Sequence, residues 1–428
     1  MHCNDLYRNE MTASRRHIHK RPEEGWTEFE TTAWVVEHLQ ALGFEVLCGR
    51  EVINPDFVMG RDPKKVEEAQ KRARAHGVPE ALLERLGGYT GAVGIWKTGR
   101  PGPVTAFRYD LDCVLVQETD APGHEANAGG YASERPGLMH ACGHDGHLSV
   151  GLGVAHWVKD HAGELCGTIK LIFQPAEEGT RGARPLAESG ILDDVDYIVC
   201  AHIGSGCPLN EIGICHSGFL ATTKIDVRFE GTPAHAGANP EKGRSALLAA
   251  CSTATMLAGI PRSSRGDTRI SIGRIDAGEG RNVVPAHAML QIETRGSTEE
   301  VNRFMVDYVE RIVKGNALSY DVKSSFEKVG EATVLTADQE ITDELTDIAH
   351  KIPYIKSVIR NDHISGSEDC TLLISRVRAH GGKAGFFLFG CNQNGHHKGD
   401  FAIQDEQSLP EAFDMFTEFL CRRNGVKA

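Results

Sequence analysis

The chain has 428 residues, more than one ordinary core holds, so two domains are expected. Its 59 acidic and 46 basic side chains leave a net charge of −13 with no basic run, which makes nucleic acid and anionic membrane surfaces poor partners. No apolar run reaches the length of a membrane span, residues 1–10 hold no apolar signal core, and the 12 cysteines include no Cys-x-x-Cys pair; a cytoplasmic protein with reduced thiols is expected.

Arg15, Arg16, His17, Ile18 and His19 fall in a helix of their own, read as a solvated face. Thr27 and Glu30 have the spacing of a capping box for a helix through Phe29, Ala33, Val36 and Leu39 that stops before Gly43. Residues 56–88 change texture. The stretch 63–86 is rich in Lys, Glu, Arg and Ala and predicts a charged helix or helical hairpin on the surface, inserted at a domain edge.

Strands and helices then alternate. Strands are predicted at 92–97 and 104–109, the second running into Asp110-Leu111-Asp112. A glycine-rich loop leads into Met139-His140-Ala141-Cys142-Gly143-His144-Asp145-Gly146-His147, which packs three imidazoles, a thiol and a carboxylate into nine residues. The apolar pattern from Leu148 to Val158 predicts a buried helix behind it. A strand at 168–174 ends at Pro175-Ala176-Glu177-Glu178-Gly179, and one at 197–201 ends at His202. This order predicts an α/β domain whose mostly parallel sheet carries helices on both faces.

From Phe219 the order becomes βαββαβ, with strands at 221–229, 268–275, 287–294 and 321–327 and helices at 244–258 and 298–315. That is a ferredoxin-like α+β plan. It predicts an inserted domain at 219–335, dividing a catalytic domain into 1–218 and 336–428, with hinges near Phe219 and 331–336. The α/β pattern resumes with a helix at 338–352, another after Glu368 and a strand at 384–389, followed by Gly395-His396-His397-Lys398-Gly399-Asp400-Phe401.

Glu177/Glu178, His202 and His396/His397 all follow C-terminal ends of predicted strands, the edge at which open α/β sheets form sites; the Cys142/His144 loop can reach the same edge. A lone histidine there is ordinarily a satisfied core or surface residue, but four such clusters point to a metal site. Five ligands of mixed type exceed what one open catalytic zinc takes from protein. Two ions about 3.5–4 Å apart fit better, with the Cys142 thiolate as a bridge. Of Glu177 and Glu178, one can bind metal while the other acts as general base and then general acid. His235, Asn282 and Arg295 in the small domain could converge as a clamp for a carboxylate and an oxyanion.

These motifs, with Gln174-Pro175-Ala176-Glu177-Glu178-Gly179, Ala201-His202-Ile203-Gly204, Gly280-Arg281-Asn282-Val283-Val284-Pro285 and Gly366-Ser367-Glu368-Asp369, resemble the amidohydrolase branch of the aminoacylase/carboxypeptidase metallopeptidases over nearly the whole chain. The resemblance implies metal ligands at Cys142, His144, Glu178, His202 and His397, with His397 favoured over His396 because Phe401 completes a His-x-x-x-Phe pattern. It implies Glu177 as general base, His235, Asn282, Arg295 and Gly366 as substrate-binding, the last in a loop facing the substrate carboxylate, and loosely Asp110 as a residue orienting a ligand imidazole. The implied activity is hydrolysis of an N-acyl or N-aroyl amino acid, p-aminobenzoyl-glutamate first, with hippurate, other N-acyl amino acids or dipeptides as alternatives. Mn²⁺ is implied by the resemblance, whereas a cysteine among the ligands argues for Zn²⁺. A homodimer is implied, or a heteromer with a homologous second subunit, because the residue matching His235 reaches across a dimer in the wider superfamily. A non-catalytic metal-binding subunit is the rival, and it would have no use for Glu177.

Overall fold

Alternation along the Val104–Asp110 strand decides what each face of the large sheet meets. Phe107 and Tyr109 point to one face, with ring centroids 4.6 and 5.4 Å from Phe416 of the C-terminal helix Asp405–Asn424. Arg108 points to the other, where its guanidinium reaches Asp369 at the start of the Cys370–Ala379 helix. The sheet is therefore covered on both sides. The computed structural model describes residues 2–362 and 366–426.

Contacts divide the chain into two units, one of Met1–Gly218, Leu335–Ile364 and Asp369–Ala428, the other of Phe219–Val334 and Ser365–Glu368. In the first, eight strands run in the order Glu45–Cys48, Ala92–Lys97, Thr168–Gln174, Val104–Asp110, Tyr197–Ile203, Lys383–Phe389, Glu211–Cys215, Ser357–Arg360. The four from Thr168–Gln174 to Lys383–Phe389 are parallel. Their register sets Asp110 opposite Gln174 and Ile203 opposite Phe389, so four C-terminal strand ends share one edge. The helix His144–Asp160 starts at that edge and is buried almost all round, as its apolar run requires. Gly143 caps it in the left-handed region, at φ +89°. A Cβ there would lie 2.5 Å from Ile203 Cγ2, so the turn admits only glycine.

The second unit has the sheet order Lys323–Ala332, Ala221–Glu230, His287–Gly296, Thr268–Ala277, all antiparallel, with Ala246–Ala258 and Glu299–Ser319 packed on it. This is the ferredoxin-like 4-1-3-2 arrangement. Its core is Ile225, Val227, Phe229, Leu290, Ile292, Met305 and Val309.

Two local expectations fail and a third, the hairpin at 63–86, holds. The capping box does not form: Thr27 Oγ1 donates to the Glu24 carbonyl, the Phe29–Leu42 helix is capped at Glu28, and Glu30 is drawn off by Arg72 and Arg135. The stretch 63–86 is a helical hairpin, Pro63–Ala75 and Glu80–Leu86. The helix Asp5–His19 is not a solvated face at its C-terminal end. Arg15 and His19 are only 2% and 1% exposed, because buried carboxylates need them. Arg15 Nε donates to Asp145 Oδ2 at 2.8 Å, His19 Nδ1 contacts the same oxygen at 2.7 Å, and His19 Nε2 meets Glu118 Oε1 at 3.1 Å.

Burial opposes ionisation of Glu118. Hydrogen bonding to His19, the His19 charge, the Ser133 N–H and His124 outweigh it and hold the carboxyl down to about 2. A depressed carboxyl stabilises the fold above the ordinary glutamate range and loses that contribution as pH falls towards 2, here about 3 kcal/mol. Glu118→Gln should therefore flatten the fall in unfolding free energy between pH 4.5 and 2, measured by urea titration at each pH. An unchanged slope would contradict this origin.

Candidate metal centre

Asp112 lies just beyond the Val104–Asp110 strand and is fully buried. Its Oδ1 accepts from the Glu177 N–H at 3.0 Å and its Oδ2 from the Glu178 N–H at 2.9 Å, while its carbonyl accepts from His144 Nδ1 at 2.9 Å. One residue thus fixes the ends of two strands and the first turn of the His144 helix. The Glu177–Glu178 turn is reached through Ala176 in the left-handed region, φ +51°, whose N–H donates to Glu28 Oε1 at 2.8 Å. Burial, then the nearby Asp112 charge, pushes the Glu28 carboxyl up to about 8.

A carbonyl only accepts, so His144 carries a proton on Nδ1 and turns Nε2 inward. That nitrogen is buried without a hydrogen-bond partner among the described residues, 3.9 Å from Glu177 Oε2 and 3.7 Å from Asp110 Oδ2. His202 repeats the device: Nδ1 donates to the Ile203 carbonyl at 2.8 Å, and Nε2 stands 3.6 Å from Cys142 Sγ. Burial, then His147 and His396, hold His202 well below the ordinary imidazole range, so its lone pair is available. His397 adopts φ +62°, and its N–H donates to the Ala141 carbonyl at 2.8 Å. That turn brings His397 Nε2 within 3.1 Å of Glu178 Oε1. His396 lies beside it, with Nδ1 3.6 Å from Cys142 Sγ and Nε2 accepting from the Ser205 N–H.

Donor atoms of Cys142, His144 and His202 lie within 4.8 Å of one another; so do those of Cys142, Glu178 and His397, and those of His144, Glu177 and Glu178. The two thiol-containing groups share only Cys142, so two ions held by them would have that residue in common. Burial and then Glu178 push the Cys142 thiol well above its ordinary range, so it ionises only against a cation. A partnerless buried imidazole nitrogen is costly without metal, and two divalent ions fit this set of thiolate, carboxylate and imidazole donors.

A second tier holds the first. Arg108 donates to Gln174 Oε1 at 2.9 Å and Asp110 Oδ2 at 2.7 Å; Asp369 accepts from Arg108, from Gln174 and from the Gly182 and Ala183 N–H groups. Sequence reasoning gave no role to Asp112, Glu28 or Arg108. The Asp-x-Asp at a strand end was a usable signal for Asp112; Glu28 had none.

In the second unit, His235 and Asn282 meet. His235 pairs with Val283 in an antiparallel bridge, and the Ala236 N–H donates to the Asn282 carbonyl at 3.0 Å. His235 Nδ1 accepts from the Gly237 and Ala238 N–H groups, which leaves its proton on an exposed Nε2. Arg295 does not join them. It is at the far end of His287–Gly296 from residues 282–285, roughly 26 Å along the strand from His287, and its guanidinium donates to Glu293 at 3.0 and 3.1 Å. Gly366 is at Arg295's end: its carbonyl accepts from Leu220, two residues before Thr222, which is opposite Arg295. The expected three-residue clamp is therefore split by the length of a ten-residue strand.

Asp112→Asn would place an amide N–H₂ against one of the glutamate N–H groups. It should weaken binding of divalent metal about 10–100-fold, read by chelator competition. Wild-type affinity would show that Asp112 does not hold the ligands.

Among curated proteins, a Haemophilus influenzae homolog of one of the subunits of p-aminobenzoyl-glutamate hydrolase is 44% identical over 403 residues, 94% of this chain and 95% of that one. Indole-3-acetyl-aspartic acid hydrolase of Enterobacter agglomerans is also 44% identical, over 92% of both chains. The crystal structure of an aminobenzoyl-glutamate utilization protein from Klebsiella pneumoniae superposes with a TM-score of 0.83 at 38% identity, covering 98% of each chain. Residues 106–422 match the family described as peptidase family M20/M25/M40, and the chain belongs to that family.

Proposed function

We propose that the chain hydrolyses the amide between an aromatic acyl group and an acidic amino acid, p-aminobenzoyl-glutamate first. The observation that carries this is the gathering of Cys142, His144, Glu178, His202 and His397 at one sheet edge with a further carboxylate, Glu177, beside them. Family membership makes the enzyme a metal-dependent hydrolase. The relatives' names supply the substrate class: one is named as a homolog of a p-aminobenzoyl-glutamate hydrolase subunit, the other as an indole-3-acetyl-aspartic acid hydrolase. Both substrates join an acyl group that carries a planar aromatic ring to a dicarboxylic amino acid.

Divalent ions held by the five ligands would supply Lewis acidity to a water and to the scissile carbonyl. Mn²⁺ is the metal we assign for activity, with Zn²⁺ the alternative that the thiolate favours. Glu177, whose Oε2 stands 3.9 Å from His144 Nε2, takes the proton of the attacking water and delivers it to the amine as the C–N bond breaks. Arg295 and Gly366 serve the amino-acid carboxylate, for which Arg295 must exchange Glu293. His235 offers its Nε2–H, with Asn282, to the oxyanion. Because these two pairs occupy opposite ends of the second unit, a complete clamp calls for a second copy or a homologous partner chain. The Haemophilus relative is named for one subunit of its enzyme, which supports an assembly here. The second unit is then the lid and dimerisation domain and the first the catalytic domain. No helix among the described residues is long and apolar enough to cross a membrane, and the 12 free cysteines suit a reducing cytoplasm.

Glu177→Gln should lower kcat by about 10²–10⁴-fold while metal content, measured by mass spectrometry, stays at the wild-type level. Full turnover with metal bound would remove Glu177 from the chemistry. In a panel of p-aminobenzoyl-glutamate, indole-3-acetyl-aspartate and hippurate, kcat/KM for the first should exceed that for hippurate by at least about tenfold, or 1.4 kcal/mol in transition-state binding. A preference for hippurate would contradict the acidic leaving group. A preference for indole-3-acetyl-aspartate would keep that group and change the aromatic one.

A further inference from the structure

The motif at 139–147 contains a third imidazole, His147, whose two ring nitrogens are both engaged. Its Nδ1 lies 2.6 Å from Asp110 Oδ1, and its Nε2 accepts from the Ile203 N–H at 2.9 Å. The backbone amide can only donate, so Nε2 is unprotonated and Nδ1 carries the hydrogen that Asp110 accepts. His147 is 3% exposed, and neither nitrogen has a lone pair left for an ion. It is no metal ligand, although Asp110, His144 and His147 are as tightly grouped as the sets described above.

Ile203 links this imidazole to the candidate ligands through two successive peptide groups. Its N–H donates to His147, and the carbonyl of the same residue accepts from His202 Nδ1 at 2.8 Å. The two imidazoles stand edge to face with centroids 4.7 Å apart. Upstream, Asp110 Oδ2 accepts from the buried Arg108 guanidinium at 2.7 Å. The hydrogen bonds therefore run in a connected series from Arg108 and Asp110 through His147 and the backbone of Ile203 to His202, whose Nε2 faces Cys142. The coupling through Ile203 is positional, because its Cα separates the two amides, and a group that holds the distal nitrogen of a ligating imidazole sets its tautomer and basicity.

We propose that His147 is a positioning residue: anchored by Asp110, it clamps the Ile203 backbone so that the Ile203 carbonyl locks His202 in the Nδ1–H tautomer with Nε2 presented to the metal. This rests on His202 being a ligand, as proposed above. It also alters the expectation for Asp110, which reaches a ligand imidazole through a second histidine and a backbone segment.

Two substitutions cut different links. His147→Asn keeps a donor near Asp110 and removes the acceptor for the Ile203 N–H. His147→Gln can keep an acceptor for Ile203 and loses the link to Asp110. The test is Zn²⁺ binding to the full chain by chelator competition, together with ¹⁵N spectra of histidine-labelled protein in which the His202 signal is identified by its loss in His202→Ala. His202→Ala should abolish one of two Zn²⁺ equivalents. His147→Asn should weaken that same equivalent about 10–100-fold and leave the other unchanged, and the His202 ring should lose its pure Nδ1–H signature. His147→Gln should fall between, and it carries the test if His147→Asn does not fold. If His202→Ala loses an equivalent while the His147 variant that folds binds as wild type with the His202 tautomer intact, the positioning role is wrong and the ligand assignment stands. If His202→Ala keeps both equivalents, the ligand assignment fails and this role falls with it.

Discussion

At Asp112, two carboxylate oxygens and one carbonyl oxygen hold three groups that matter: the backbones of Glu177 and Glu178 and the ring of His144. A fully buried carboxylate is tolerated only where donors meet it, and here the donors are the site's own frame. The consequence is directional. With its Nδ1 tied back, His144 can offer only Nε2, and with their amides tied back, the two glutamates must send their side chains over the strand ends. Remove the charge or length of Asp112 and the Glu177–Glu178 turn and the His144 ring lose a common reference point.

The surrounding charges follow the same logic. Arg108 is matched by Asp110 and Asp369, and Arg15 by Asp145 and Asp405. Buried pairs of this kind contribute little net stability compared with apolar packing, but breaking one partner strands the other. Their use here is geometric. Asp145 follows His144 directly, and Arg15 and His19 from the N-terminal helix hold it from outside while Asp110 and Asp112 hold the loop from the sheet side. A chain whose net charge is −13 thus spends several of its basic groups inside, around the site.

The α/β order and the βαββαβ unit were legible because apolar periodicity sets both; the strand registers that put Asp110, Gln174, Ile203 and Phe389 at one edge come from the structure. The ligand candidates were legible because Cys, His and Glu at strand ends are chemically distinctive. What could not be read was anything fixed by long-range pairing. Arg15 and His19 look like a polar helix end until Asp145 and Glu118 arrive from 99 to 130 residues away. Thr27 and Glu30 carry a local capping pattern, but Arg72 and Arg135 compete for the glutamate and win. The separation of Arg295 from His235 and Asn282 follows from strand length and register, which spacing in the sequence does not reveal.

The central claim is that these side chains hold a pair of cations bridged at Cys142. Anomalous diffraction from crystals of the Mn²⁺-loaded protein tests it most directly. Two peaks about 3.5–4 Å apart are predicted, one among Cys142, His144 and His202 and the other among Cys142, Glu178 and His397. A single peak, or peaks that leave Cys142 without a metal bond, would contradict it.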